Sequence, residues 1–175
     1  MKILTFWTER EDQNLRLADD GSKKSKTSTD EWSLDSTAYS TILERFSLSP
    51  TVDTFASSEN AKCKVYFSKL PETTTSGVDF FRQKLGGDEI YFVCPPICHI
   101  QRAWRKVTQT KGITAIVCIP YWKSHAYFAD LLEADNFKPC IKDHFCFKAN
   151  FVSKSDSCLF NGVTKFEMIA LLVKT

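Results

Sequence analysis

Glycine is scarce, with six in 175 residues, and no Gly-x-Gly pair occurs. That excludes the glycine-rich loop by which many folds cradle a phosphate. Long apolar runs are missing too: none approaches the roughly 20 residues a bilayer-spanning helix needs, so no membrane partner is expected. The formal net charge is +2, too near neutral to be an electrostatic signature of nucleic-acid binding by itself. Histidines number three, and the seven cysteines (63, 94, 98, 118, 140, 146 and 158) contain no C-x-x-C pair. Cys94, Cys98 and His99 lie close together. A second ligand pair with zinc-like spacing is missing, so no metal is expected and the thiols read as reduced, small hydrophobes. Met1 to Trp7 runs straight into Glu9, Arg10, Glu11 and Asp12, which is not a secretory signal. The expectation is an intracellular protein, nuclear or cytoplasmic.

What is abundant is core-forming. Hydrophobic residues make up 43% and aromatics 13%, with fourteen phenylalanines, which argues for a packed globule. Residues 1–30 read as an arm or linker, polar from Asp12 onward and of low complexity from Gly21 to Thr29. Lys23, Lys24 and Lys26 belong to that solvated stretch. Residues 31–175 form the expected domain.

Within it, Asp35 or Ser36 caps a helix carrying Tyr39, Ile42, Leu43 and Phe46 at helical spacing. Short strands are expected over residues 51–55 and 65–67, with a loop over 71–77. Val78, Phe80, Phe81 and Leu85 suggest one or two helical turns ended by Gly86-Gly87. Residues 90–93 make a strand, and 100–110 a helix with Ile100, Ala103, Trp104 and Val107 on one side. Residues 113–119 are a near-continuous β-branched run, as in a strand buried on both faces. Helical spacing returns over 125–132. Two antiparallel strands follow, 140–147 and 166–173, joined through Asn161-Gly162. Alternation of this kind calls for a three-layer α/β fold with a mixed, mainly parallel sheet, right-handed crossovers and an antiparallel C-terminal edge.

The strand of residues 90–93 stops at Cys94-Pro95-Pro96-Ile97. A buried strand ending at a double proline, with a helix starting just after, is a substrate-site geometry, because α/β sheets bind ligands beyond the carboxyl ends of their strands. Basic residues interleaved with aromatics lie nearby: Arg102, Arg105 and Lys106 around Trp104, then Tyr121, Trp122 and Lys123. Such a set suits single strands or flipped bases. Helical periodicity alternatively puts Trp104 in the core and the cations on its solvated side.

The segment running from Asp53 through Ala56, Ser57, Asn60 and Ala61 to Cys63, then Tyr66-Phe67-Ser68, resembles the Asp-x-x-Ala-Ser-x-x-Asn-Ala block of phage-type Dam adenine methyltransferases. A Pro-Pro motif, a hydrophobic strand ending in Pro120 and the aromatic Tyr121-Trp122 follow in the family's order. The chain is also similar to the Dam-like domain of DIRS-like tyrosine-recombinase retroelement polyproteins. The resemblance covers roughly residues 30–147 and implies a Rossmann-like methyltransferase fold. It implies S-adenosylmethionine as cofactor, with Asp53, Ser57 and Asn60 as its contacts, and DNA adenine as substrate.

In that family an Asp or Asn and a proline carbonyl accept hydrogen bonds from the target amine, and an aromatic stacks on the flipped base. Here Cys94 stands where the acid or amide belongs, and Ile97 where the aromatic belongs. A thiol is a weak acceptor and isoleucine has no π face, so the pair reads as a degenerate catalytic corner. A cysteine nucleophile of the kind that methylates cytosine carbon has its proline on the other side, so Cys94 reads as a small strand-end residue. Asp53 admits two readings, ligand contact or turn cap. The expectation is an inactive methyltransferase-like domain that binds nucleic acid or a protein partner in a retroelement or host complex. An active adenine methyltransferase and a ligand-free interaction module are the alternatives.

Overall fold

A computed structural model describes residues 32–153 and 162–175. The arm expected over residues 1–30 and the turn residue Asn161 lie outside the described residues.

The first helix forms where its cap is strongest. Asp35 accepts a 2.7 Å hydrogen bond from the Ala38 amide, opening α1 (Ser36–Phe46); such a cap contributes about 1 kcal/mol. Ser47 ends it in a left-handed conformation, its amide reaching back to Leu43 and Glu44. Ala38, Ile42 and Phe46 share the buried stripe. Before α1 comes β1 (Trp32–Leu34), which pairs antiparallel with β10 (Asn150–Ser153); β10 pairs in turn with β11 (Gly162–Val163).

The main sheet has seven strands. β2 (Val52–Asp53), β3 (Val65–Ser68), β4 (Gly77–Val78), β5 (Ile90–Val93) and β6 (Thr114–Pro120) run parallel; β12 (Met168–Lys174) and β9 (Ile141–Phe147) complete it. The order across the sheet is β4-β3-β2-β5-β6-β12-β9. β12 is antiparallel to both its neighbours. The reversed strand therefore sits one place in from the edge, and β9, which closes the sheet, runs with the parallel set. The two C-terminal strands thus form an antiparallel pair at this end of the sheet, as expected. β12 is apolar on both faces, with six buried residues in succession, and only an interior place covers both.

Alternate residues of β6 and β12 serve two cores. Ala115, Val117, Ile119, Ile169, Leu171 and Val173 pack with α2 (Ile100–Gln109), through Ile100, Ala103, Trp104 and Val107. Ile116, Cys118, Met168, Ala170 and Leu172 pack on the other side with Leu34, Phe151 and the α1 stripe.

Helix content is low. Among the described residues, α2 is the helix that crosses between neighbouring parallel strands, β5 and β6. The other crossovers are loops whose side chains bind their own backbone: Thr75 Oγ1 donates to the Gly77 carbonyl, and Ser68 Oγ to that of Leu70. Such local bonds compete with helix formation. The helical turns expected after Val78 reduce to one 3-10 turn (Phe80–Arg82). There Asp79 adopts φ +61° and its carboxylate caps the Phe81 amide. Helical spacing over 125–132 yields only α3 (Ala126–Ala129), followed by a hairpin of β7 (Leu132–Glu133) and β8 (Asn136–Phe137). That hairpin turns on Ala134 and Asp135, both at positive φ. Among the described residues no helix is long and apolar enough to cross a membrane.

Candidate functional site

From β2 the chain winds outward in one direction to β3 and β4, then resumes on the other side with β5 and β6. Strand order therefore reverses between β2 and β5, and crevices beyond the carboxyl ends of strands at such a point are where ligands bind. Asp53 ends β2 and Cys94 follows β5; Asp53 pairs with Phe92 in the parallel ladder. Asp53, Phe92 and Cys94 line one cleft with Ser33, Leu34, Phe55, Asn60 and Lys62.

The cleft is small, ≈ 20 Å³, about the room one water molecule needs. Leu34 is buried in the core shared with Phe92, so the end of β1 forms a wall over the strand termini.

Asp53 is 3% exposed. Its two oxygens accept the amides of the loop that follows, Oδ1 from Phe55 at 3.4 Å and Oδ2 from Lys62 at 3.0 Å. Burial pushes its pKa up to about 6, against the pull of those two amides and the Lys62 charge. Asn60 Oδ1 accepts the Ser57 amide at 2.7 Å, closing the same loop. Asp53 and Asn60 thus both line the cleft and organise residues 54–62, whereas Ser57 contributes backbone to the turn and is not part of the lining.

Cys94 and Cys118 each come one residue after Val93 and Val117, the last pair of the β5–β6 ladder. A hydrogen bond with the Cys118 thiol, reinforced by burial, holds the Cys94 pKa well above the usual thiol value. The group is a neutral thiol near pH 7, neither a thiolate nucleophile nor a strong acceptor. Pro95 is buried. The Pro96 carbonyl accepts the His99 amide at 2.8 Å, opening the turn Ile97–His99. Ile97 packs against both cores. Of the four corner residues, Cys94 alone reaches the cleft.

Sequence reasoning passed over Tyr39, Cys63 and Cys118. Tyr39 lays its ring edge-on to Phe92 at 5.0 Å, and its hydroxyl lies 3.8 Å from Cys63 Sγ. Burial raises the pKa of Cys63 to about 11. α1 carries Tyr39, the loop before β3 carries Cys63 and β6 carries Cys118, so tertiary packing brings them together.

The basic residues divide into two sets. Trp104 is 3% exposed and donates from Nε1 to the Asp130 carbonyl at 3.0 Å, so the aromatic between the cations belongs to the core. Arg102, Arg105 and Lys106 line an open groove of ≈ 390 Å³ with Phe81, Gln109 and Thr110. Arg102 lies over the Phe81 ring at 3.8 Å. Lys106 Nζ donates to the carbonyls of Phe81 and Gln83, at 3.2 and 2.6 Å, which ties the 3-10 turn to α2. Burial lowers its pKa. Arg105 is 61% exposed and comes within 3.9 Å of Asp130. Tyr121, Trp122 and Lys123 do not line this groove: Tyr121 packs on Phe128, Trp122 on Phe166, and Lys123 lies over Tyr121. Among the described residues no group of three or more His, Cys, Asp or Glu could hold a metal ion.

No protein-family model matches this chain, and no curated protein matches it.

Proposed function

We propose that this chain is a Rossmann-like, three-layer methyltransferase-like domain, related to the Dam-like domains of DIRS-type retroelements, whose catalytic corner has lost its chemistry. One observation carries the reading: the chain reverses strand order between β2 and β5, and the two termini at that point, Asp53 and Cys94, line a single cleft. Adenine methylation needs an acceptor aimed at the target amine and a flat platform for the base. Cys94 offers a neutral thiol, and Ile97 turns into the core. A donor of nucleoside size takes a pocket of about 300–1,000 Å³. The cleft holds ≈ 20 Å³ and its carboxylate is engaged by its own loop. As arranged, Asp53, Ser57 and Asn60 do not accommodate S-adenosylmethionine.

The role left to the domain is binding, and the groove beside α2 suits single-stranded nucleic acid in a retroelement or host complex. Arg102 presents a guanidinium seated over the Phe81 ring, a group on which bases can stack, and Arg105 supplies an exposed charge for phosphate. Lys106 positions the groove wall instead of meeting the ligand.

Fluorescence anisotropy with a labelled single-stranded DNA oligonucleotide tests this reading. The wild-type chain is expected to bind at low salt. Removing a stacking platform costs about 1–3 kcal/mol, so Arg102→Ala should weaken binding roughly five- to 150-fold. Arg105→Ala should mainly flatten the salt dependence. Absence of binding by the wild type, or equal binding by the double variant, would remove nucleic acid as the ligand of this groove.

A further inference from the structure

Two thiols outside the basic groove are placed for a reaction of their own. The β5–β6 ladder pairs Ile90 with Thr114 and continues to Val93 with Val117. Cys94 and Cys118 are the residues that follow this last pair, and both side chains face the same core cluster. Neighbouring strands lie about 4.7–4.9 Å apart, inside the Cα separation of about 4.4–6.8 Å that a disulfide spans. Cys118 is fully buried, while Cys94 is partly exposed and lines the cleft.

We propose that Cys94 and Cys118 are a peroxide-reactive dithiol whose oxidation joins β5 to β6 at the floor of the cleft. The cleft selects the oxidant by size. A space of ≈ 20 Å³ flanked by Asp53, Asn60 and Lys62 admits hydrogen peroxide, little larger than the water it displaces, and excludes a bulky organic disulfide. In the first step the Cys94 sulfur, giving up its proton, attacks one peroxide oxygen. The O–O bond breaks, Cys94 becomes a sulfenic acid, and one water leaves. In the second step Cys118 attacks the sulfenic sulfur, the S–O bond breaks, and the proton from Cys118 leaves with the hydroxyl as a second water. Two thiols are oxidised and one peroxide is reduced to two waters. Because the attacking species is the thiolate, the reaction is slow near neutrality and accelerates as pH rises.

The experiment is peptide mapping of the full-length chain after hydrogen peroxide treatment and alkylation of the remaining thiols. Trypsin places Cys118 alone on residues 112–123, and Cys94 on residues 85–102 together with the exposed Cys98. A Cys98→Ser background removes that ambiguity. The expected product is the 85–102/112–123 pair, linked through sulfur and released by reductant. The linked form should melt at a higher temperature than the reduced one. In a Cys118→Ser variant Cys94 should instead accumulate as a sulfenic acid trapped by dimedone. Sulfenic or sulfinic acid at Cys94 with Cys118 present, linkage of Cys94 to another cysteine, or oxidation of the exposed Cys146 with Cys94 unmodified would each overturn the proposal. Faster linkage by oxidised glutathione than by peroxide would overturn the size selection.

Discussion

Replacing Trp104 with alanine is expected to lower the stability of the fold by about 3–5 kcal/mol, the cost of removing a large aromatic side chain from a packed interior. Trp104 belongs to the buried stripe of α2 and to the core cluster that also holds Val117, Leu171, Tyr127 and Phe128. Its Nε1 also satisfies the Asp130 carbonyl, so alanine leaves both a cavity and a partly buried acceptor without its donor. Urea unfolding should show the midpoint falling while the slope stays the same. The result separates two roles that the Arg-Ala-Trp-Arg-Lys segment allows. If Trp104 were a stacking platform for bases, alanine would weaken oligonucleotide binding and leave the urea midpoint nearly untouched.

Asp53 should make the protein less stable as pH rises from about 4 to about 6. Its pKa stands at about 6 in the folded chain against an ordinary 3.8, so folding favours the protonated carboxyl. Below pH ~4 the group is protonated in both states and carries no penalty. As pH climbs, the unfolded chain ionises first and stability falls. Above the folded-state value both states are ionised, and the full penalty of about 3 kcal/mol persists. Asp53→Asn cannot ionise, so the stability difference between pH 4 and pH 7 should differ from wild type by about that amount. Comparing the two proteins at each pH cancels the titration of every other group. Parallel pH profiles for wild type and Asp53→Asn would mean that the carboxylate is solvated and free to serve a ligand.

The elements most legible in the sequence are those whose pattern is long and local. Ile100, Ala103, Trp104 and Val107 mark α2, and the apolar runs mark β6 and β12. Asp35 announces α1 through its cap. The pairs β7–β8 and β10–β11 were illegible because these short strands lack the compact apolar runs that mark β3 and β5. Their pairing is decided by distant partners, and the β7–β8 turn is made by Ala134-Asp135 in place of glycine. The place of β12 inside the sheet could not be read from its composition alone, since two apolar faces fit any interior position.

The site divides the same way. Two strand ends bearing Asp53 and the Cys-Pro-Pro corner were visible as motif and punctuation. Their surroundings depend on the β5–β6 ladder, whose last pair Cys94 and Cys118 follow, and on the β1 wall of Ser33 and Leu34, which precedes the motif by some twenty residues or more. All three cations line the groove, and charge spacing likewise could not show that Lys106 alone spends its ammonium on fastening the groove wall to α2.

Transfer of tritium-labelled methyl groups from S-adenosylmethionine to single- and double-stranded DNA probes the heart of this account. With a neutral thiol in place of an acceptor and a cleft of ≈ 20 Å³, the wild-type chain should leave no label above background on either substrate. Label that accumulates with wild type and disappears with Cys94→Ala would show a working catalytic corner and contradict it.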